Sequence, residues 1–146
     1  MNKVIKRALS FSFLDKKGET NRFKFTKILD LSLMCYLNCD MLQQLLSNCD
    51  TNVLKSLNLS FCKRIYLTNS DLNFFDVITK YCPKLEALDM TGIEIIGPKH
   101  KAVLDMSELC TKLGLSLKEL VIDADLAGCM TSLIVNINFC HLLCLV

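Results

Sequence analysis

The chain has 146 residues, 51% hydrophobic and 22% charged. That is about one domain, long enough to bury a core without disulfide or metal, and too apolar for a disordered chain. Its formal net charge of +2 conceals an asymmetry: residues 1–27 carry a net +6 and residues 28–146 a net −4.

In chain order, residues 1–25 form a basic lead segment or cap, in which Val4, Ile5, Leu9, Phe11, Phe13 and Leu14 supply apolar contacts. The string KILDLS at 27–32 alternates apolar with other residues, the period of a half-buried strand. Asp40–Asn48 reads as a helix with Asp40 as the acidic N-cap. A second alternating string, KSLNLS, occupies 55–60. Ser70–Tyr81 reads as a helix capped by Ser70 or Asp71 and stopped by Pro83. A third strand string, EALDMT, lies at 86–91. Lys99–Leu113 places Val103, Met106, Leu109, Cys110 and Leu113 at helical spacing, with Gly114 as its C-cap. A fourth strand string, KELVID, spans 118–123.

These strings are one repeat. Their anchors are Leu29, Leu57, Leu88 and Leu120, spaced by 28, 31 and 32 residues. Three units carry the fuller pattern L-x-x-L-x-L: Leu54/Leu57/Leu59, Leu85/Leu88/Met90 and Leu117/Leu120/Ile122, with the aliphatic Met90 and Ile122 closing the latter two. The first unit has Thr26 at its leading position. No single unit can bury its own apolar face, so neighbours must stack.

The run Leu54-Lys-Ser-Leu57-Asn-Leu59-Ser-Phe-Cys62, with Cys82-Pro83 after a helix, resembles the leucine-rich repeat. It is similar to the cysteine-containing subtype of F-box/leucine-rich repeat proteins and related ubiquitin-ligase receptors. The resemblance covers about residues 26–125. Cys62 fills the subtype's cysteine position in one unit, and the equivalents are Met34, Ile93 and Asp125. It implies an α/β fold: a curved leucine-rich repeat solenoid of about four repeats, with parallel strands on the concave face and helices on the convex face. A Cys in the bend after a strand is small enough for that crowded site and offers a weak donor to turn carbonyls.

Residues 126–146 form an apolar C-terminal tail, a possible partial repeat. VNINFC at 135–140 echoes LNLSFC at 57–62 and suggests a further strand at Val135. Twelve of the 17 residues from Met130 to Val146 are apolar and none is charged. That is a poor solenoid cap, so the expectation is a fragment of a longer solenoid or a tail that docks on another chain. The segment is too short and too interrupted for a membrane span.

The nine cysteines sit mostly in apolar runs, and no secretory signal is evident, which fits free thiols in a reducing compartment, the cytoplasm or nucleus. Cys35-x-x-x-Cys39 and Cys140-His141-x-x-Cys144 lack the second pair that structural zinc requires. His100 is expected exposed at a helix start. Asp123-Ala-Asp125 lacks the glycine and downstream glutamate of a calcium loop. No phosphate-loop, dinucleotide or zinc-protease string occurs. The expectation is no catalytic, cofactor or metal site, no nucleic-acid partner and no membrane.

The positions flanking the anchors are more informative. Stacking aligns Ile28/Ser56/Ala87/Glu119, then Asp30/Asn58/Asp89/Val121, then Ser32/Ser60/Thr91/Asp123. From these columns the concave binding face is expected to use Asp30, Ser32, Ser56, Asn58, Ser60, Asp89, Thr91, Glu119 and Asp123. Asp30 and Asp89 are expected exposed. The expected partner is a protein target offering donors and positive charge. By resemblance, the chain would recognise substrates for an SCF-type or related cullin-linked ubiquitin ligase, with adaptor subunits docking through a region outside it. The alternative is a scaffold or regulatory leucine-rich repeat protein unrelated to ubiquitin.

Overall fold

The computed structural model describes residues 4–5, 25–62, 65–66, 74–96, 106–113, 115–122 and 143–145. In chain order these form β1 (Val4–Ile5), β2 (Ile28–Asp30), α1 (Cys39–Ser47), β3 (Ser56–Asn58), β4 (Ile65–Tyr66), α2 (Phe74–Tyr81), β5 (Ala87–Asp89), β6 (Ile95–Ile96), α3 (Met106–Leu113), β7 (Glu119–Ile122) and β8 (Leu143–Leu145). The fold is mixed α/β. Six strands make one parallel sheet in the order β1-β2-β3-β5-β7-β8, and β4 and β6 make a second, two-stranded parallel sheet.

Parallel neighbours need a crossover between them, and α1, α2 and α3 each lie within one. The helices form a row, α1 packing on α2 and α2 on α3. Gln43 donates to the Tyr81 hydroxyl across the first of these contacts at 3.3 Å.

The anchor residues meet in register. Leu29 pairs with Leu57, Leu57 with Leu88, and Leu88 with Leu120. All four are buried in one core cluster with Leu42, Leu45 and Leu46 of α1, Phe74, Phe75 and Ile78 of α2, and Leu109 and Leu113 of α3. The core therefore lies between the sheet and the helices. At the leading position Leu54, Leu85 and Leu117 are buried, and so is Thr26, the polar member of that column.

The same hydrogen bonds recur from unit to unit. Lys55 and Ser56 both donate to the Lys27 carbonyl, Glu86 and Ala87 to Lys55, and Lys118 and Glu119 to Glu86. Beyond the strands, Leu31 donates to Asn58, Leu59 to Asp89 and Met90 to Val121, each at 2.8 Å. This recurrence is the physical content of the repeat: each unit satisfies the backbone groups of the one before it.

The helix ends differ in part from the sequence expectation. Asn38, not Asp40, caps α1: its side chain accepts from the Met41 amide at 2.8 Å, and Asp40 falls in the first turn. A neutral amide in extended conformation meets the orphan donors there, while the carboxylate favours the positive helix end one turn in. Ser70, Asp71, residues 99–105 and Gly114 lie outside the described residues. Cys82 follows α2 directly and Cys49 lies two residues past α1, and both are buried; the side chain of Cys110 lies outside the described set.

Both ends of the sheet carry a strand beyond the four repeat strings. Val4 and Ile5 pair with Ile28 and Leu29, and Leu143–Leu145 pair with Leu120–Ile122. Val135, where a further strand is expected, lies outside the described residues. Strands β4 and β6 were not anticipated; Ile65 pairs with Ile95 and is buried.

Candidate binding face

On each of β2, β3 and β5 the central leucine is buried and its two neighbours are half-buried. The strand period therefore sends Asp30, Asn58 and Asp89 to the face away from the core. The first two columns predicted from sequence are paired as written: Ile28/Ser56/Ala87/Glu119 and Asp30/Asn58/Asp89/Val121. Ser56 is half-buried and Glu119 is exposed.

The column members also have a local structural task. Asp30 Oδ1 accepts from the Ser32 amide at 3.0 Å, Asn58 Oδ1 from Ser60 at 2.9 Å, and Asp89 Oδ1 from Thr91 at 2.9 Å. The Thr91 hydroxyl also donates to Asp89 Oδ1 at 2.8 Å. These are Asx turns, in which a short side-chain oxygen stands in for a backbone acceptor and ends the strand. Val121 cannot do this at the fourth position.

Asp30 and Asp89 are thus half-buried and engaged, rather than exposed. Ser60 is buried, at 8% exposure, and does not belong on an open face. Ser32 and Thr91 are half-buried, and Asp123 lies outside the described residues.

The turn that follows each strand holds a feature the sequence reading missed. Leu33, Phe61 and Gly92 occupy the same place, four residues after the anchors, with φ of 65°, 56° and 63°. Glycine adopts this left-handed conformation freely. Non-glycine residues pay roughly 1–2 kcal/mol each there, and bulky ones are outliers. Yet Leu33 and Phe61 are 51% and 49% exposed, and Tyr36 nearby in sequence is 75% exposed. The Leu33 amide bonds to the Ser60 carbonyl at 2.9 Å and the Phe61 amide to Thr91 at 2.7 Å, so the turns stack as the strands do. The Phe61 ring lies over Gly92: a Cβ on that glycine would sit 2.6 Å from Phe61 Cδ1. A glycine at the third turn position was the available sequence signal for positive φ in the whole column.

A second missed feature precedes the strands. Lys118 Nζ lies 2.7 Å and Lys55 Nζ 3.0 Å from the Glu86 carboxylate, linking three units. The first letters of the aligned strings, K, K, E and K, carried that signal. The bond from Lys118, then that from Lys55, holds the Glu86 carboxyl below its ordinary value.

Burial pushes the thiols of Cys39, Cys49 and Cys62 up to about 11 and that of Cys82 to about 12. They remain protonated at neutral pH, which is the opposite of an activated nucleophile. Cys35 is exposed while Cys39 is buried. No group of three His, Cys, Asp or Glu side chains suited to a metal occurs among the described residues. Cys140, His141, His100 and Asp125 lie outside them. No helix among the described residues is long and apolar enough to cross a membrane. No family model, curated protein or solved structure matches the chain.

Proposed function

We propose that the chain is a leucine-rich repeat solenoid that binds a protein target on the sheet face away from its helices. The observation that carries this reading is the in-register column Asp30/Asn58/Asp89 beside Ser56 and Glu119. Regular stacking presents side chains of one type at fixed intervals, which suits an extended partner. The cysteine in the bend after β3 supports the cysteine-containing subtype: Cys62 donates from its thiol to the Leu31 carbonyl.

From that resemblance we infer that the chain recognises substrates for an SCF-type or related cullin-linked ubiquitin ligase and performs no catalysis itself. The test is affinity capture of the tagged full chain from its own cells, with cullin and RING subunits quantified against the bait. Near-stoichiometric cullin supports the ligase reading. Reproducible protein partners without cullin contradict it and favour a scaffold or regulatory role.

A further inference from the structure

We propose that the target segment is both basic and apolar: two Lys or Arg side chains about three residues apart, with a bulky apolar residue between them. The inference rests on the protein-binding reading above and names the partner's chemistry.

Two observations carry it. The first is the exposed pair Leu33 and Phe61, held in left-handed backbone where Gly92 serves the third unit. Glycine at those two turns would relieve strain and remove apolar surface from water. A fold that keeps Leu and Phe there displays them against its own stability, and such outliers cluster at binding sites. The second is charge. Asp30 and Asp89 flank Asn58 on the adjoining column, and exposed Glu119 extends the acidic character on β7. Each aspartate uses Oδ1 in its Asx turn, and a carboxylate has a second oxygen and a full charge to offer.

The spacing follows from the sheet. Asp30 and Asp89 are two strands apart in register, roughly 9–10 Å. Three residues of polyproline II chain span roughly 9.3 Å and return to the same side. Basic residues at i and i+3 therefore reach both aspartates, and the intervening apolar residue falls beside the Leu33–Phe61 ridge.

The probe set is three fluorescent peptides of equal length in one neutral flanking sequence, with the cores Arg-Leu-Phe-Arg, Glu-Leu-Phe-Glu and Arg-Ser-Ser-Arg. Binding to the full chain is read by anisotropy. The first peptide should bind at least tenfold more tightly than the other two. Asp30→Asn with Asp89→Asn should weaken it about tenfold and flatten its salt dependence. The Asx turns should survive that change, because Asn58 already forms one. Leu33→Gly with Phe61→Gly should also weaken it about tenfold, without lowering the melting temperature. A merely structural pair would show the reverse. Equal binding of the three peptides, no binding of any, or insensitivity to both double variants overturns the proposed chemistry. The cullin and partner capture above judges the broader reading separately.

Discussion

The Cys62 thiol lies 3.1 Å from the Leu31 carbonyl oxygen, one full unit away in sequence. It ties the bend after β3 to the end of β2. The equivalent residues Met34 and Ile93 carry no such donor. Burial keeps this proton in place, with the thiol raised to about 11. At about pH 8, maleimide should modify Cys35 rapidly and leave Cys39, Cys49, Cys62 and Cys82 unmodified until the chain unfolds. Site-resolved mass spectrometry checks this. Labelling of Cys62 as fast as Cys35 would remove the bend from the core.

The leucine ladder predicts large losses from small truncations. Leu57→Ala and Leu88→Ala should each cost about 2–5 kcal/mol, because the cavity left between strands and helices cannot fully collapse. Urea denaturation measures it. A loss within about ±0.5 kcal/mol, as at surface sites, would show that these side chains do not face the core.

Gly92→Ala should destabilise by about 1–3 kcal/mol, combining left-handed strain with a clash against the Phe61 ring. The clash is removable. In a Phe61→Ala background the same substitution should cost only its conformational part, about 1–2 kcal/mol. A double-mutant cycle reads the coupling; strict additivity would mean that the ring does not lie over the glycine.

Glu86 predicts a pH dependence with a definite sign. Its folded value lies below the ordinary 4.5, chiefly through Lys118 and then Lys55. The linked stability is present above the ordinary value and lost as pH falls through the lowered folded one. Melting temperatures of wild type and Glu86→Gln should differ most above about pH 5 and converge in stronger acid, with the gap narrowing in high salt. The carboxylate is partly exposed, so the gap should be small. A gap that grows in acid contradicts the bridge.

The repeat was legible because its anchors are apolar at strand period and its helices follow at a regular interval. Leu29, Leu57, Leu88 and Leu120 stack as their alignment requires. Several features escaped. Asn38 displaced Asp40 as cap because capping depends on backbone conformation one or two residues upstream, which composition does not reveal. Strands β4 and β6 are two residues each and have no period to read. Asp30, Asn58 and Asp89 read as free polar residues on an open face, since an i to i+2 side-chain bond leaves no mark in hydropathy. The same blindness put buried Ser60 in the binding column. Only Gly92 hinted that the backbone at Leu33 and Phe61 turns left-handed.

The central claim is that the units stack in one register, so that the columns on the outer face exist. Methyl-labelled NMR of the full chain tests it most directly. Nuclear Overhauser contacts should run in series from Leu29 to Leu57, Leu57 to Leu88 and Leu88 to Leu120, with none between Leu29 and Leu88. Absence of the Leu57–Leu88 contact, or a direct Leu29–Leu88 contact, would contradict the stacked columns and the proposed binding face built on them.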